Sequence, residues 1–268
     1  MNDGFGAVSL TKSMATGWAG HPICFYDTID STNLQAAKNA RDGAVQGTLI
    51  VADCQTAGRG RRGRQWSSPA GANLYFSLIL KPDYAPNQAP MVTLLMGLAV
   101  AEAIREHCHA EAYIKWPNDV VIDGKKVCGI LTEMSLEGTK IAHVVVGVGI
   151  NVGEQSFPEE LAPAATSLAE QCGSVPDRTK LLVGILQSFE KIYDSFLAQG
   201  NLEGLMERYN VLLVSRDREV RVLDPKGEYR GIARGISETG ELLVELGDGK
   251  VEKVYAGEVS VRGVYGYI

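Results

Sequence analysis

The stretch Gly58–Trp66, GRGRRGRQW, constrains this chain more than any other. An apolar run, Thr48–Ala52, precedes it and reads as a strand, and the glycines at 58, 60 and 63 fit the GxGxxG spacing of a dinucleotide-binding turn. That turn needs a helix to begin inside the motif, so that its first N–H groups meet a pyrophosphate. Here Ser67, Ser68, Pro69, Ala70 and Gly71 follow, and no helix starts in such a run. A Rossmann-type site is excluded. What remains is four arginines (59, 61, 62 and 64) on a glycine-hinged loop. Guanidinium forks pair bidentately with carboxylate and phosphate, and clustered cations repel until an anion joins them. A solvated basic loop and a nucleic-acid patch are the competing readings. The interleaved glycines and the closing Trp66 favour a small phosphate-bearing ligand.

Composition narrows the partners. The chain has 268 residues, 45% of them hydrophobic and 22% charged, which is an ordinary globular balance with room for a large domain and a small one. A net charge of −6 argues against a general nucleic-acid or anionic-membrane binder. Cys24, Cys54, Cys108, Cys128 and Cys172 are odd in number, scattered and without a CxxC, which predicts reduced thiols and a cytoplasmic protein. No secretory signal opens the chain. Tyr84–Ala101 is uncharged but broken by Pro86, Asn87, Gln88 and Pro90; it reads as a buried helix whose apolar part is too short for a membrane span.

Three segments are expected. Residues 1–20 read as a flexible tail, 21–214 as the main domain and 215–268 as a small β-barrel. In the main domain a helix follows DSTN, with Thr32 and Gln35 as a capping box. Strand Leu74–Leu80 and helix Met91–Glu106 come next, then strands Ala112–Lys115, Val120–Ile122 and Val127–Met134, the last two joined by an Asp123–Gly124 turn. Ala142–Asn151 is a further strand, and Asp177 caps a helix to about Gln199, followed by a shorter one over Leu202–Leu212. Beyond Ser215, short strands alternate with turns at Pro225–Gly227, Thr239–Gly240 and Gly247–Gly249. A mixed sheet with flanking helices makes the fold class α+β.

Other clusters carry possible chemistry. Lys115-Trp116-Pro117-Asn118-Asp119 sits at a strand end, where Lys115 can neutralise phosphate and Asn118 with Asp119 offers oxygen ligands for Mg²⁺; Pro-Asn-Asp is equally turn chemistry. Lys125 and Lys126 open a buried strand, and alternation lets only one of them face a pocket. Gly147 and Gly149 allow a ligand close to the backbone, with Asn151 just beyond. In His107-Cys108-His109 the imidazoles at i and i+2 point apart, which opposes a metal site. No HExxH, GxSxG or P-loop is present.

Together DSTN (30–33), QTAGRGRRGRQW (55–66), KWPNDV (115–120), GKKVCGIL (124–131), VGVGINV (146–152) and AGEVSVR (256–262) resemble the biotin protein ligase family over about residues 21–268. The resemblance implies a class II synthetase-like catalytic domain with a C-terminal SH3-like β-barrel. The implied activity converts biotin and ATP to biotinoyl-5′-AMP with Mg²⁺, then transfers biotin to one lysine of a biotin carboxyl carrier protein domain of the acetyl-CoA or pyruvate carboxylase type. Roughly twenty residues before Ile23 are too few for the winged helix-turn-helix of repressor-type members, so the monofunctional form is expected, without DNA or membrane partners, as monomer or homodimer. Carried over, Ser31, Thr32, Asn33, Gln55, Arg59, Gly60, Arg61, Lys126 and Gly129 would bind biotin. Arg61, Arg64, Trp66, Lys115, Asn118 and Asn151 would serve ATP. Lys126, Arg59 and Arg61 would be catalytic, and Asp119 would hold the metal. Cys128 stands where many members have Ala, and Gln65 where a basic residue is frequent. A lipoate ligase, which shares fold and chemistry, is the nearest alternative; a nucleic-acid-binding module using the arginine loop, or an adenylate sensor, represents other classes.

Overall fold

The computed structural model describes residues 4–224, 227–256 and 260–263. A seven-stranded sheet organises the main domain. Its strands are β1 (Ile23–Ile29), β2 (Leu49–Gln55), β3 (Leu74–Leu80), β4 (Ala112–Lys115), β5 (Asp119–Ile122), β6 (Lys125–Glu137) and β7 (Lys140–Ile150), in the order β1-β2-β3-β7-β6-β5-β4. Only β1 and β2 run parallel, joined by a crossover through a helix at Thr32–Arg41; all other neighbours are antiparallel.

Alternation sorts the central strands into two faces. Leu74, Phe76, Leu78 and Leu80 of β3 pair with Ile150, Val148, Val146 and Val144 of β7, and all eight lie in the main core. That face is covered by the long helices Ala89–Cys108 and Arg178–Gln199, which pack against each other. With the turn before it, over Pro86–Cys108, the first is long and apolar enough to cross a membrane by length and composition, contrary to the expectation of too short an apolar run. Burial accounts for it instead, since 72% of its most apolar window lies inside the fold. On the opposite face Tyr75 pairs with Gly149, Ser77 with Gly147 and Ile79 with Val145.

Numbering the helices in order gives α1 (Ala7–Ser13), α2 (Thr32–Arg41), α3 (Ala89–Cys108), α4 (Leu168–Cys172), α5 (Arg178–Gln199) and α6 (Met206–Leu212). Helix α1 corrects the reading of residues 1–20 as a flexible tail: from residue 4 the segment is docked. Leu10 is fully buried, the Trp18 ring lies 5.5 Å from Tyr193, and the Glu190 carboxylate accepts the N–H groups of Gly17, Trp18 and Ala19 at 2.7, 2.7 and 2.8 Å. These are long-range contacts on α5, which no local period reveals. The capping box at α2 is also corrected. Ser31 is the N-cap, and the Thr32 hydroxyl turns away to donate to Gln55 Oε1 at 3.2 Å.

From Glu219 onward the chain forms an antiparallel sheet of β8 (Glu219–Asp224), β9 (Gly227–Ile236), β10 (Leu242–Glu245), β11 (Val251–Val254) and β12 (Ser260–Gly263), ordered β11-β10-β9-β8-β12. The expected turns fall at Thr239–Gly240 and Gly247–Gly249, while residues 225–226, and 257–259 of the AGEVSVR segment, lie outside the described residues. The sheet docks on the main domain: Trp116 Nε1 donates to Gly240 O at 3.1 Å, and Ile236 N to Asn210 Oδ1 at 2.9 Å.

Candidate active site

The cleft lies on the face opposite α3 and α5, bounded by the N-terminus of α2, the arginine loop and the middle of β6 and β7. It exists because volume is withheld there. A Cβ at Gly147 would stand 1.8 Å from Asn33 Oδ1, and one at Gly149 would stand 2.5 Å from Trp66 Nε1. Glycine at these positions lets side chains lie flat on the sheet, where a larger residue forces them out.

A β-bulge places Lys126. On β6, Cys128 pairs with Val120 but Lys126 pairs with Val121, so Val127 is an extra residue. The bulge shifts the alternation. Lys126 joins Gly129 and Leu131 in the cleft, with Glu133 on the same face of β6 just beyond them, while Cys128 and Ile130 enter the core. Lys126's own N–H donates to Ala164 O at 2.8 Å and its C=O accepts from Thr166 N at 2.9 Å, so the bulged backbone is satisfied by a neighbouring loop. Lys125 points elsewhere, 3.7 Å from Glu170. Burial pushes the Cys128 thiol far above its ordinary range, so it stays neutral and inert.

The arginine loop is a small hairpin, with Gly60 N donating to Arg64 O at 2.8 Å and Trp66 N to Gly58 O at 2.9 Å. It leans on the sheet through three contacts. Arg61 Nη1 donates to Asn118 Oδ1 at 2.5 Å, and Arg59 Nη1 lies 3.1 Å from Glu133 Oε1. The Trp66 ring lies with its centroid 5.2 Å from Lys126 Nζ. Asn118 Nδ2 donates to Asp119 Oδ1 at 3.0 Å, and that same oxygen lies 2.7 Å from Lys126 Nζ. Arg61, Asn118, Asp119 and Lys126 therefore form one chain of polar contacts from loop to strand.

Most residues singled out from sequence meet here. Ser31, Thr32, Asn33, Gln55, Arg59, Gly60, Arg61, Trp66, Asn118, Lys126 and Gly129 all line the cleft. Three nucleotide candidates do not. Arg64 is exposed on the loop. Asn151 is buried and donates to Thr166 O at 3.0 Å, so it holds a loop below the cleft. Lys115 stands behind Asp119; burial pushes its ammonium down to about 8, with the charges of Lys126, Arg262 and Arg64 adding to the fall and Asp119 opposing it. Asn33 lines the cleft with little left to offer a ligand. Its Nδ2 donates to Leu131 O and Glu133 Oε2 at 3.2 and 2.8 Å, and its Oδ1 accepts from Ser77 Oγ at 2.6 Å.

Asp119 does not fit the metal role. Its Oδ1 is occupied by the Lys126 ammonium, and no group of three His, Cys, Asp or Glu side chains able to hold a metal exists among the described residues. Magnesium binds through oxygen, commonly substrate phosphate, with several retained waters; the described residues supply no cage of acidic side chains for it.

Sequence reasoning missed Ser77, Glu133 and Arg262. A lone serine inside LYFSLIL was the available signal for the first, and period-two spacing from Gly129 for the second. Arg262 comes from the C-terminal sheet, and nothing local places it near Lys115.

Both domains match known families. Residues 26–151 match the Biotin/lipoate A/B protein ligase family, and residues 217–262 match the Biotin protein ligase C terminal domain. The bifunctional ligase/repressor BirA of Bacillus subtilis is 40% identical over 246 residues, covering 90% of this chain and 74% of that one. The biotin--[acetyl-CoA-carboxylase] ligase of Mycobacterium tuberculosis is 36% identical over 236 residues, covering 85% of each. Among solved structures, biotin protein ligase from Aquifex aeolicus in complex with biotin and ATP superposes with a TM-score of 0.78 at 33% identity, covering 91% of this chain and 99% of that one.

Proposed function

Since this chain belongs to the biotin protein ligase family and so activates biotin with ATP and transfers it to a biotin-carrier protein, we propose that the cleft on the open face of the sheet carries both half-reactions. The observation that supports this reading most is the convergence of Lys126, Arg59 and Arg61 on a glycine-floored cleft walled by Thr32 and Gln55.

In the first half-reaction a biotin carboxylate oxygen attacks the α-phosphorus of ATP, and the bond to pyrophosphate breaks. Two anions must meet, so cations aimed at the developing charge lower the barrier. Lys126 is the group best placed, since Asp119 and the bulge hold its ammonium on the cleft face. Arg61 steadies the phosphate side and Arg59 the mouth. Thr32 and Gln55 present hydroxyl and amide to the ring of biotin, while Trp66 closes over the adenylate and excludes water from the mixed anhydride. In the second half-reaction the neutral amine of a carrier lysine attacks the acyl carbon, AMP leaves, and one proton is released as the amide forms. No protein nucleophile is needed.

Lys115 and Arg262 are assigned to the nucleotide from the edge of the cleft. Mg²⁺ is taken to arrive with the phosphates of ATP, and no step is routed through it. The carrier is taken to be a biotin carboxyl carrier domain of an acetyl-CoA or pyruvate carboxylase, and the enzyme to act in the cytoplasm as monomer or homodimer, without a DNA or membrane partner. The five free thiols and the net charge of −6 support that setting. The test is mass measurement of a carrier domain after incubation with the protein, biotin, ATP and Mg²⁺. Addition of one biotinyl group, with lipoate failing to replace biotin, is the expected result; an unmodified carrier overturns it.

A further inference from the structure

We infer that Glu133 is the positioning residue of this cleft: one carboxylate sets both Arg59 at the mouth and the amide of Asn33 in the wall. The inference rests on the biotin reading above and assigns a role to a side chain outside the motifs that carry the resemblance.

Glu133 lies on the cleft face of β6 opposite Val145, one step beyond Leu131, which faces Gly147. Its Oε1 is 3.1 Å from Arg59 Nη1, and its Oε2 accepts from Asn33 Nδ2 at 2.8 Å. A carboxylate only accepts hydrogen bonds, so Asn33 must turn its NH₂ toward Glu133 and its Oδ1 toward Ser77 Oγ, 2.6 Å away. Ser77 Oγ is also 2.9 Å from Thr32 Oγ1. Thr32 N–H and Oγ–H both donate to Gln55 Oε1, which turns Gln55 Nε2 to donate to Ser68 Oγ at 2.8 Å. Glu133 thus fixes which way Asn33 and the Ser77 proton point, while the Thr32 backbone N–H fixes Gln55. Biotin's ureido ring carries two N–H donors beside a carbonyl acceptor, and it can be recognised only by a wall whose donors and acceptors do not interchange.

Glu133→Gln keeps the shape and removes this asymmetry. The new amide has one acceptor oxygen for two donors, and its own NH₂ faces another donor. In biotin-dependent pyrophosphate exchange, KM for biotin should rise about tenfold while kcat stays within about threefold and KM for ATP is unmoved. If Glu133 acts through Arg59, the double variant with Arg59→Gln should lose less than the product of the two single losses. With neither biotin nor ATP present, trypsin should nick Glu133→Gln after Arg59 about two to five times faster than the unaltered protein, the range for loosening a partly exposed ion pair. Unchanged KM for biotin, multiplicative losses, or equal nicking would each overturn the inference. Were the unaltered protein to show no biotin-dependent exchange, the biotin reading would fail, while the nicking ratio would still decide whether Glu133 holds Arg59. If Glu133→Gln does not fold, Glu133→Asp, which keeps the charge but falls short by one methylene, is read the same way.

Discussion

The two faces of strands β3, β6 and β7 are built from alternate residues of the same few segments, yet they do opposite things. On one, Phe76, Val148 and Ile130 lie side by side in the core, and each neighbour fills the space the last one leaves. On the other, Tyr75, Gly149 and Gly129 form one row and Ser77, Gly147 and Leu131 the next, so side-chain volume falls away toward the cleft. The first face is held by close packing, where every methylene counts. The second is held by directed polar contacts, where orientation counts and volume is absent. Stability and recognition are thereby separated by a single step along the chain.

Substitutions can break that separation or sharpen it. Phe76→Ala should show the largest effect, about 3–5 kcal/mol of unfolding free energy in urea titration, with turnover per folded molecule retained. Ser77→Ala, one residue on, should cost less, about 1–3 kcal/mol for the buried Asn33 acceptor it strands, and should raise KM for biotin; equal losses of stability would collapse the distinction. Lys126→Ala should lower carrier biotinylation by about 2.7–4 kcal/mol of transition-state stabilisation, and Lys125→Ala should leave it near normal. The reverse order would place the bulge, and the face of Lys126, elsewhere.

Lys115 tests the edge of the cleft by titration. Its ammonium, pushed down to about 8 from 10.5 by burial, should lose its charge between pH 7 and 9. KM for ATP should rise several-fold over that range with a midpoint near pH 8, a dependence that Lys115→Arg abolishes. The sign for stability is the opposite. The folded chain releases this proton more readily than the unfolded one, so below about pH 8 Lys115 imposes a constant penalty, which is relieved as pH climbs toward 10.5.

The smallest effect lies off the sheet. Burial alone would raise the Glu190 carboxyl, but three backbone N–H donors outweigh it and hold the group below its ordinary value. Its contribution is complete above the ordinary carboxyl range and is lost as pH falls through the depressed value. Glu190→Gln should speed amide exchange at Gly17–Ala19 by less than about 1 kcal/mol in local opening, since the group is largely solvated; no change would detach the N-terminal segment from Glu190.

The legible parts of the fold are those where neighbours in sequence decide. Alternation in LYFSLIL, the Asp123–Gly124 turn and the Asp177 cap each act within a few residues, and each element stands where its pattern puts it. Among site residues, the arginine loop and KWPND were readable because few other jobs need those side chains together. The extra residue at Val127 was not, for a bulge leaves no compositional trace in KKVCG. What Asn33, Asn151 and Asp119 can offer a ligand was not readable, for one reason. Their types suit a ligand, but whether an amide or carboxylate is free depends on partners as distant as Ser77, Thr166 and Lys126. Docking of residues 4–20 and the approach of Arg262 depend on tertiary contact alone.

The pinning of Lys126 by the loop beside it also says where this protein can change length. The chain leaving β7 is fastened at once, Val152 N donating to Asn73 Oδ1 at 2.8 Å and Gly153 N to Ala72 O at 2.7 Å. It is fastened again where Ala164 and Thr166 grip the backbone of Lys126. Between those moorings the segment is a closed span whose ends stay put whatever its contour does. Closure entropy grows only logarithmically, by about 0.6 kcal/mol for each doubling of a flexible loop. Insertions here can therefore accumulate almost silently, while a single added or deleted residue two positions from Lys126 would throw the strand out of phase.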